Sequence, residues 1–343
     1  MLPVEPAVLT GNASSPLINS HPRILFVRTD RLGDVLLNLP AVAALRAACP
    51  AAHVTMMVHP NLGALLEGSP EVDELMAYQD DSRRPWWWAA AGLACRLRAK
   101  RFDVAILSTS KKEFHVAAFL AGIPQRVGYD RKWGWLLTHR LPDAKALGER
   151  HEVEYNLDLI KPLGRPSSVP SWRWPQLEHE QLDVARLLEQ HGIRAVEPFI
   201  VLHPWTSNPR KQWPLPRYQD VARRIAEELR HPVIVIGGPE EQPRVGEVRP
   251  DTDAVVNLVG QLTLKQLAAL LRRAKLLVSN DSGPVHLAAS VGTRTVVLFG
   301  TADPGDGPRR WGPWGSGHTV ICKPCVEDIT VDDVLAAVRR SLP

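Results

Sequence analysis

The chain has 343 residues, 45% of them hydrophobic and 23% charged, with a net charge of +4. That composition is ordinary for a globular protein, and the length suits two domains with separate cores. No stretch is long enough to cross a bilayer, since the longest apolar run, Trp86–Cys95, is half of the ~20 residues required. Four cysteines, only two of them close together, exclude a disulfide framework.

Residues 1–22 lack both a basic start and a continuous apolar run, so they read as a flexible leader rather than a signal peptide, and a cytoplasmic location is expected. The first strand, Ile24–Val27, runs into VRTDRLGDVLLNLP (27–40), and a helix is expected over Asp34–Ala48. A strand, a short glycine-bearing loop and a helix ordinarily suggest a phosphate cradle. This loop carries one glycine, Gly33, and two carboxylates, Asp30 and Asp34, which does not suit phosphate. Lacking G-x-G-x-x-G, it also argues against a nicotinamide dehydrogenase.

Further strands are expected at His53–Val58 and Val104–Leu107, alternating with helices at Leu62–Leu66 and Phe114–Ala121, which implies parallel βαβ units. Between Arg83 and Arg150 lie fourteen Lys or Arg against five Asp or Glu, together with five of the eleven tryptophans. Such a surface suits an anionic partner, and a solvated helix face over buried rings would produce the same composition. Trp86-Trp87-Trp88, flanked by Arg83, Arg84, Arg96 and Arg98, would either enter a membrane interface or pack as a helix on the domain core. Nucleic-acid binding is not expected, because no recognition module accompanies the basic stretch.

Pro162–Pro175 is rich in proline and serine and reads as an inter-domain linker. The plan then restarts, with strands expected at Phe199–Leu202, Val233–Ile236, Leu276–Val278 and Thr295–Phe299, and a last helix over Val331–Ser341. The expected units are therefore 23–165, a linker at 166–185, 186–330, and the C-terminal helix 331–343.

LHPWTSNPRKQW (202–213) places Thr206, Ser207, Arg210 and Lys211 in a loop after a strand, where hydroxyls and cations can hold phosphate oxygens. In LVSNDSGPVH (277–286), Asn280-Asp281 would cap a helix whose start holds Ser282, Gly283 and Pro284. Exposed N–H groups there make an anion site, a glycine allows close approach, and His286 would add a donor. An ordinary capped helix would show the same spacing; paired with the lysine loop, the turn points to a diphosphate pocket. Glu240, after Gly237-Gly238-Pro239, is placed to accept from ribose hydroxyls, and the turn containing Leu262 would lie near a base.

VRTDRLGDVLLNLPAV, HPWTSNPRKQW and SNDSGPVHLAASVGT with VVLFGTADP, in this order, resemble glycosyltransferase family 9, the ADP-heptose:lipopolysaccharide heptosyltransferases. RFDVAILSTS, AGIPQRVGYD and HEVEYNLDLI agree with that resemblance. It implies a GT-B fold, α/β, with two Rossmann-like domains facing a central cleft. It also implies inverting, metal-independent transfer of heptose from ADP-heptose, a substrate rather than a cofactor, to a lipopolysaccharide-core acceptor. By the resemblance Asp34 is the catalytic base, Lys211 contacts diphosphate and sugar, and Asp281 contacts the donor sugar. Ser282, Gly283 and His286 form the phosphate turn, with Thr206 and Glu240 as further donor contacts. Gly33 permits a tight approach at the helix start, and the helix dipole would favour ionised Asp34. Arg126, Arg131, Lys132 and Arg140 are expected to meet phosphate or carboxylate groups of the acceptor lipid, at the cytoplasmic face of the inner membrane. Cys322 and Cys325 stand where many members begin a cysteine-rich insert, but two thiols cannot complete a zinc site. A transferase using another nucleotide sugar, a GT-B nucleotide-sugar epimerase and a non-catalytic sugar-nucleotide sensor are the rival readings.

Overall fold

A computed structural model describes residues 20–80, 83, 85–164, 170–194, 196–248 and 254–342. The first 19 residues of the expected leader, Arg84 and linker residues 166–169 lie outside that set. Twelve strands form two six-stranded sheets among the described residues. The first contains β1 (Arg23–Val27), β2 (His53–Val58), β3 (Glu74–Ala77), β4 (Val104–Leu107), β5 (Gln125–Tyr129) and β6 (His139–Leu141). The second contains β7 (Ile200–His203), β8 (Val233–Val235), β9 (Val255–Asn257), β10 (Leu276–Asn280), β11 (Thr295–Gly300) and β12 (Thr319–Lys323).

Every pairing is parallel, and the orders β3-β2-β1-β4-β5-β6 and β9-β8-β7-β10-β11-β12 are the same doubly wound arrangement used twice. The strand order therefore reverses between β1 and β4 and again between β7 and β10. Crevices for ligands open at the carboxyl ends of those four strands. This is the two-domain GT-B architecture. The central strands are buried on both faces, as crossover helices require, which explains their unbroken apolar runs.

Pro40 interrupts the helix expected over Asp34–Ala48. The chain makes a short helix, Leu32–Leu36, and a second, Leu39–Ala48, with Pro40 in its first turn. Proline cannot donate to the carbonyl four residues earlier and disfavours helical backbone just before it. The Asp34 turn is thereby set at its own angle to the longer helix. Five strands escape the apolar-run reading: β3, β5, β6, β9 and β12. The linker reading also shifts, because the helix Glu178–Gln190 begins inside 166–185.

One hydrophobic cluster runs through both domains, including Leu36, Leu39 and Leu65 of the first and Leu270, Val285 and Leu287 of the second. The connecting segment is pinned on each side: Arg173 Nε donates to Glu71 Oε1 at 2.8 Å, and Trp174 Nε1 to the Ser290 carbonyl at 2.8 Å. The helix Val331–Ser341 packs into the second domain's own core through Val334, Leu335 and Val338. Gly148 has φ +62°, and a Cβ there would overlap the carbonyl of Pro304 across the domain interface. Gly148→Ala is expected to cost about 1–3 kcal/mol for the left-handed backbone alone, plus the displaced contact. A lowered urea midpoint checks this; an unchanged midpoint would mean the interface gives way freely.

Candidate functional site

Asp34 projects from the first turn after β1. Arg28, at the end of that strand, donates from Nη2 to Asp34 Oδ1 at 2.5 Å. It also reaches the Ser108 carbonyl through Nη1 and lies 3.1 Å from Asp30. Asp34 Oδ2 has no partner among the described residues, and the side chain is partly exposed to an open depression lined by Thr29, Asp30, Leu32 and Lys111. The turn itself is held by its carbonyls: Asn38 Nδ2 donates to Asp34 O at 2.8 Å and Asn156 Nδ2 to Leu37 O at 3.0 Å. Ser108 at the end of β4 bonds Asn38 Oδ1 at 2.7 Å, tying both strand ends at the reversal together.

In the second domain Lys211 Nζ donates to Asp281 Oδ2 at 2.5 Å. Asn280 does not cap the following helix. Its Oδ1 accepts from the Trp213 N–H at 3.0 Å and its Nδ2 donates to the Pro204 carbonyl at 2.8 Å, closing both ends of the lysine loop onto β10. With Asp281 held by Lys211, the N-cap passes to Ser282. The Ser282 hydroxyl meets His203 Nδ1 at 3.1 Å and Ser279 Oγ at 2.9 Å beneath the turn. Burial pushes His203 down to about 4, so it stays neutral.

The two turns touch. A Cβ on Gly33 would lie 2.7 Å from His286 Cδ2, and one on Gly283 would lie 3.2 Å from Leu32 Cβ. The bare faces of both glycines therefore serve the contact between domains. His286 is buried beside Gly33, its pKa pushed down to about 3 by burial, then by His151 and Lys211, and its Nδ1 has no partner among the described residues. Any bond it makes to an anion is that of a neutral imidazole.

The remaining donor candidates differ in exposure. Thr206 is half-buried, Ser207 exposed, Glu240 exposed beside Gly238, and Leu262 half-buried. The four candidate acceptor cations do not converge. Arg126 turns inward to the carbonyls of Ile123 and Leu136, while Lys132 and Arg140 are exposed. Arg131 alone of the four lines a cavity between the domains. Among the described residues no group of three His, Cys, Asp or Glu side chains is placed to hold a metal ion. No helix among them is long and apolar enough to cross a membrane.

The profile of glycosyltransferase family 9 (heptosyltransferase) matches residues 91–334. The chain belongs to glycosyltransferase family 9. Lipopolysaccharide heptosyltransferase 2 of Escherichia coli K12 is 27% identical over 299 residues, covering 82% of this chain and 84% of that protein. The structure of a family 9 glycosyltransferase from Veillonella parvula superimposes with a TM-score of 0.84 at 23% identity, covering 95% of this chain and 98% of that one. E. coli ADP-heptose LPS heptosyltransferase II superimposes with a TM-score of 0.77, also at 23% identity, over 93% and 98%.

This family 9 glycosyltransferase thus presents a carboxylate from one domain and a lysine loop with a helix start from the other. Arg28, Ser108, Asn156, His203 and the second role of Asn280 went unnoticed in the sequence. Ser108, Asn156, His203 and Asn280 act on partners far away in the chain, and Arg28 joins Asp34 six residues on to Ser108 eighty residues on. The local signal is that Arg28, Ser108, His203 and Asn280 stand at the ends of apolar runs, while Asn156 lies inside a helix.

Burial pushes the Asp281 carboxyl up, more than the adjacent Lys211 holds it down. A carboxyl raised by folding binds protons more tightly folded than unfolded, so its contribution to stability falls as pH rises above the ordinary carboxylate range. Lys211→Met removes the opposing charge and enlarges that fall. The variant's deficit in melting temperature is expected to be larger at pH 8 than at pH 5. Equal deficits would mean that Asp281 does not rely on Lys211.

Proposed function

We propose that this enzyme transfers a heptose from ADP-heptose to a lipopolysaccharide-core acceptor, with inversion and without a metal ion. The observation that carries the reading is the Asp34 turn seated against the Ser282–Gly283 turn, with one Asp34 oxygen tied by Arg28 and the other without a partner among the described residues. In this reading Asp34 Oδ2 takes the proton of the acceptor hydroxyl as that oxygen attacks the anomeric carbon. The bond from that carbon to the diphosphate breaks on the opposite face, and ADP leaves. Charge building on the departing diphosphate meets Lys211 and the helix-start amides, groups already in place before the reaction. The adenosine diphosphate donor is suggested by the named substrate of the E. coli heptosyltransferase II.

Heptose transfer from ADP-heptose to deacylated core oligosaccharide tests the reading directly. Asp34→Asn is expected to lower kcat by about 10²–10⁴-fold while leaving ADP affinity, read by thermal shift, within a small factor. Normal turnover would remove Asp34 from the mechanism. Consumption of ADP-heptose without acceptor would favour the epimerase reading, and stabilisation by UDP-sugars instead of ADP-sugars would change the donor.

The acceptor's lipid places the reaction at the cytoplasmic face of the inner membrane in this reading. The helix Trp86–Lys100 buries Ala90, Leu93, Ala94 and Leu97, whereas Trp87 and Trp88 stay 53% and 60% exposed and Trp135 63%. Trp86 packs on Trp133 at 5.8 Å, under Lys112 at 4.4 Å. Exposed indoles beside cations suit an anionic bilayer surface. Replacing both Trp87 and Trp88 by Ser is expected to weaken binding to phosphatidylglycerol-containing vesicles several-fold, measured by co-sedimentation. Unchanged binding would assign those rings to another purpose.

A further inference from the structure

Glu152, at the start of the helix Glu152–Asp158 in the first domain, is buried between two cations. Lys145 Nζ bonds its Oε1 at 2.5 Å, and Arg310 Nε, from the second domain, bonds its Oε2 at 2.9 Å. These groups form one wall of a cavity of about 280 Å³ between the domains, closed on the second-domain side by Arg310 and Trp311. Five cationic side chains line it, Arg28, Lys111, Arg131, Lys145 and Arg310, against the carboxylates of Asp30 and Glu152. From outside the lining, Asp34 takes a bond from Arg28, Asp80 from Lys111 and Asp143 from Arg131.

Stability alone explains this cluster poorly. A buried ion pair repays its desolvation only with good geometry, and apolar residues of similar volume often do as well or better. Crowding of like charge adds to the cost. Burial and then Arg310 push Arg131 down, with Arg28 contributing, and burial with Arg28 and Arg310 brings Lys145 down to about 8 despite Glu152. A further anion in the cavity would relieve that repulsion. The volume is enough for several waters at about 30 Å³ each, and therefore for a carboxylate or phosphate group.

The cavity also adjoins the base. Arg28 lines it while holding Asp34 Oδ1, and Asp30 and Lys111 line both the cavity and the open depression before Asp34. We propose that this cavity is the acceptor's anion site: a carboxylate or phosphate substituent of the acceptor binds among Arg131, Lys145 and Arg310, with Arg28 between it and Asp34. The proposal rests on the glycosyl-transfer reading. Two consequences follow from the geometry. The bound anion fixes which acceptor hydroxyl reaches Asp34, and because Arg310 belongs to the donor domain, it also ties acceptor binding to the closed arrangement.

The test has two arms. In the first, inorganic phosphate is titrated with ADP saturating the donor domain, and melting temperature is followed for the parent, Arg131→Gln and Arg310→Gln. Phosphate is expected to raise the parent's melting temperature and to do so much less in either variant, each compared with its own phosphate-free value. Arg131 is 40% exposed and does not touch Glu152, so Arg131→Gln keeps the test valid should loss of the Glu152 partner in Arg310→Gln weaken the fold. In the second arm, acceptor KM is measured with core oligosaccharide before and after phosphate removal by hydrofluoric acid. The variants are expected to raise acceptor KM about tenfold or more while leaving the KM for ADP-heptose unchanged, as for loss of a charge-assisted bond. A parent whose KM rises on phosphate removal identifies a phosphate as the bound group; an unchanged parent with impaired variants identifies a carboxylate. Variants that keep both the phosphate effect and the acceptor KM overturn the proposal and leave the cluster as an inter-domain clamp. A parent that transfers no heptose to any acceptor overturns the transfer reading instead, and the phosphate arm then decides the cavity alone.

Discussion

Two glycines decide how close the chemistry on one domain can come to that on the other. Gly33 precedes the carboxylate of the first turn, Gly283 follows the serine of the second, and each turns its bare Cα toward the opposite domain. A methyl group at either place would meet a ring or a leucine side chain at contact distance or less. The space a side chain would occupy is instead filled by the opposite domain. The two bare Cα faces make a close contact between the domains. Their neighbours, Asp34 on one side and Ser282 with Asp281 on the other, inherit positions set by that contact.

The same principle of anchored turns recurs at each strand end. Residues after β1 and β4 are joined by Ser108 and Asn38, and those after β7 and β10 by Asn280, His203 and the serines. Side-chain amides bonded to main-chain groups fix a loop without needing secondary structure, and their burial makes each bond costly to lose. The lysine loop is thereby anchored at both ends, although only a single turn of it, Pro209–Lys211, is regular. This firmness suits transition-state stabilisation, which relies on groups oriented before charge appears.

The sequence reveals the centre of the molecule better than its rims. β1, β4, β7 and β10 are flanked on both sides by other strands and covered on both faces, so each carries an apolar run of at least three residues, with polar residues only at its ends. β3, β6, β9 and β12 close the sheets, and only β5 of the strands left unread lies inside one. Edge strands such as His139–Leu141 and Thr319–Lys323 alternate half-buried with exposed residues and leave no such run. The candidate site follows the same division. Asp34, Lys211 and Asp281 lie beside central strands and inside recognisable motifs, whereas Glu152 and Arg310 meet across 158 positions of sequence. No spacing rule links charges so far apart, and four cations that are neighbours in sequence, Arg126 to Arg140, separate in space because β5, a turn and β6 send them to different faces.

The distribution of unpaired polar groups bears on what the inter-domain seam is for. Among the described residues, Thr29 Oγ1 and His286 Nδ1 are two of the buried side-chain atoms without a hydrogen-bond partner, and these two lie on the turns that meet there. Each such group costs on the order of 1–3 kcal/mol relative to a satisfied one. Nearby, Glu152, Lys145 and Arg310 are desolvated for little net gain. A seam shaped only for cohesion would have extended the apolar cluster that already joins the domains through Leu39, Leu65, Leu270 and Leu287. The charged cluster of Lys145, Glu152 and Arg310 sits where the two strand-end crevices face one another, and the apolar packing of Leu39, Leu65, Leu270 and Leu287 lies elsewhere along the seam. That division makes the apolar side the structural joint, and under the glycosyl-transfer reading the polar side is a surface whose crowded charges are relieved when substrate binds.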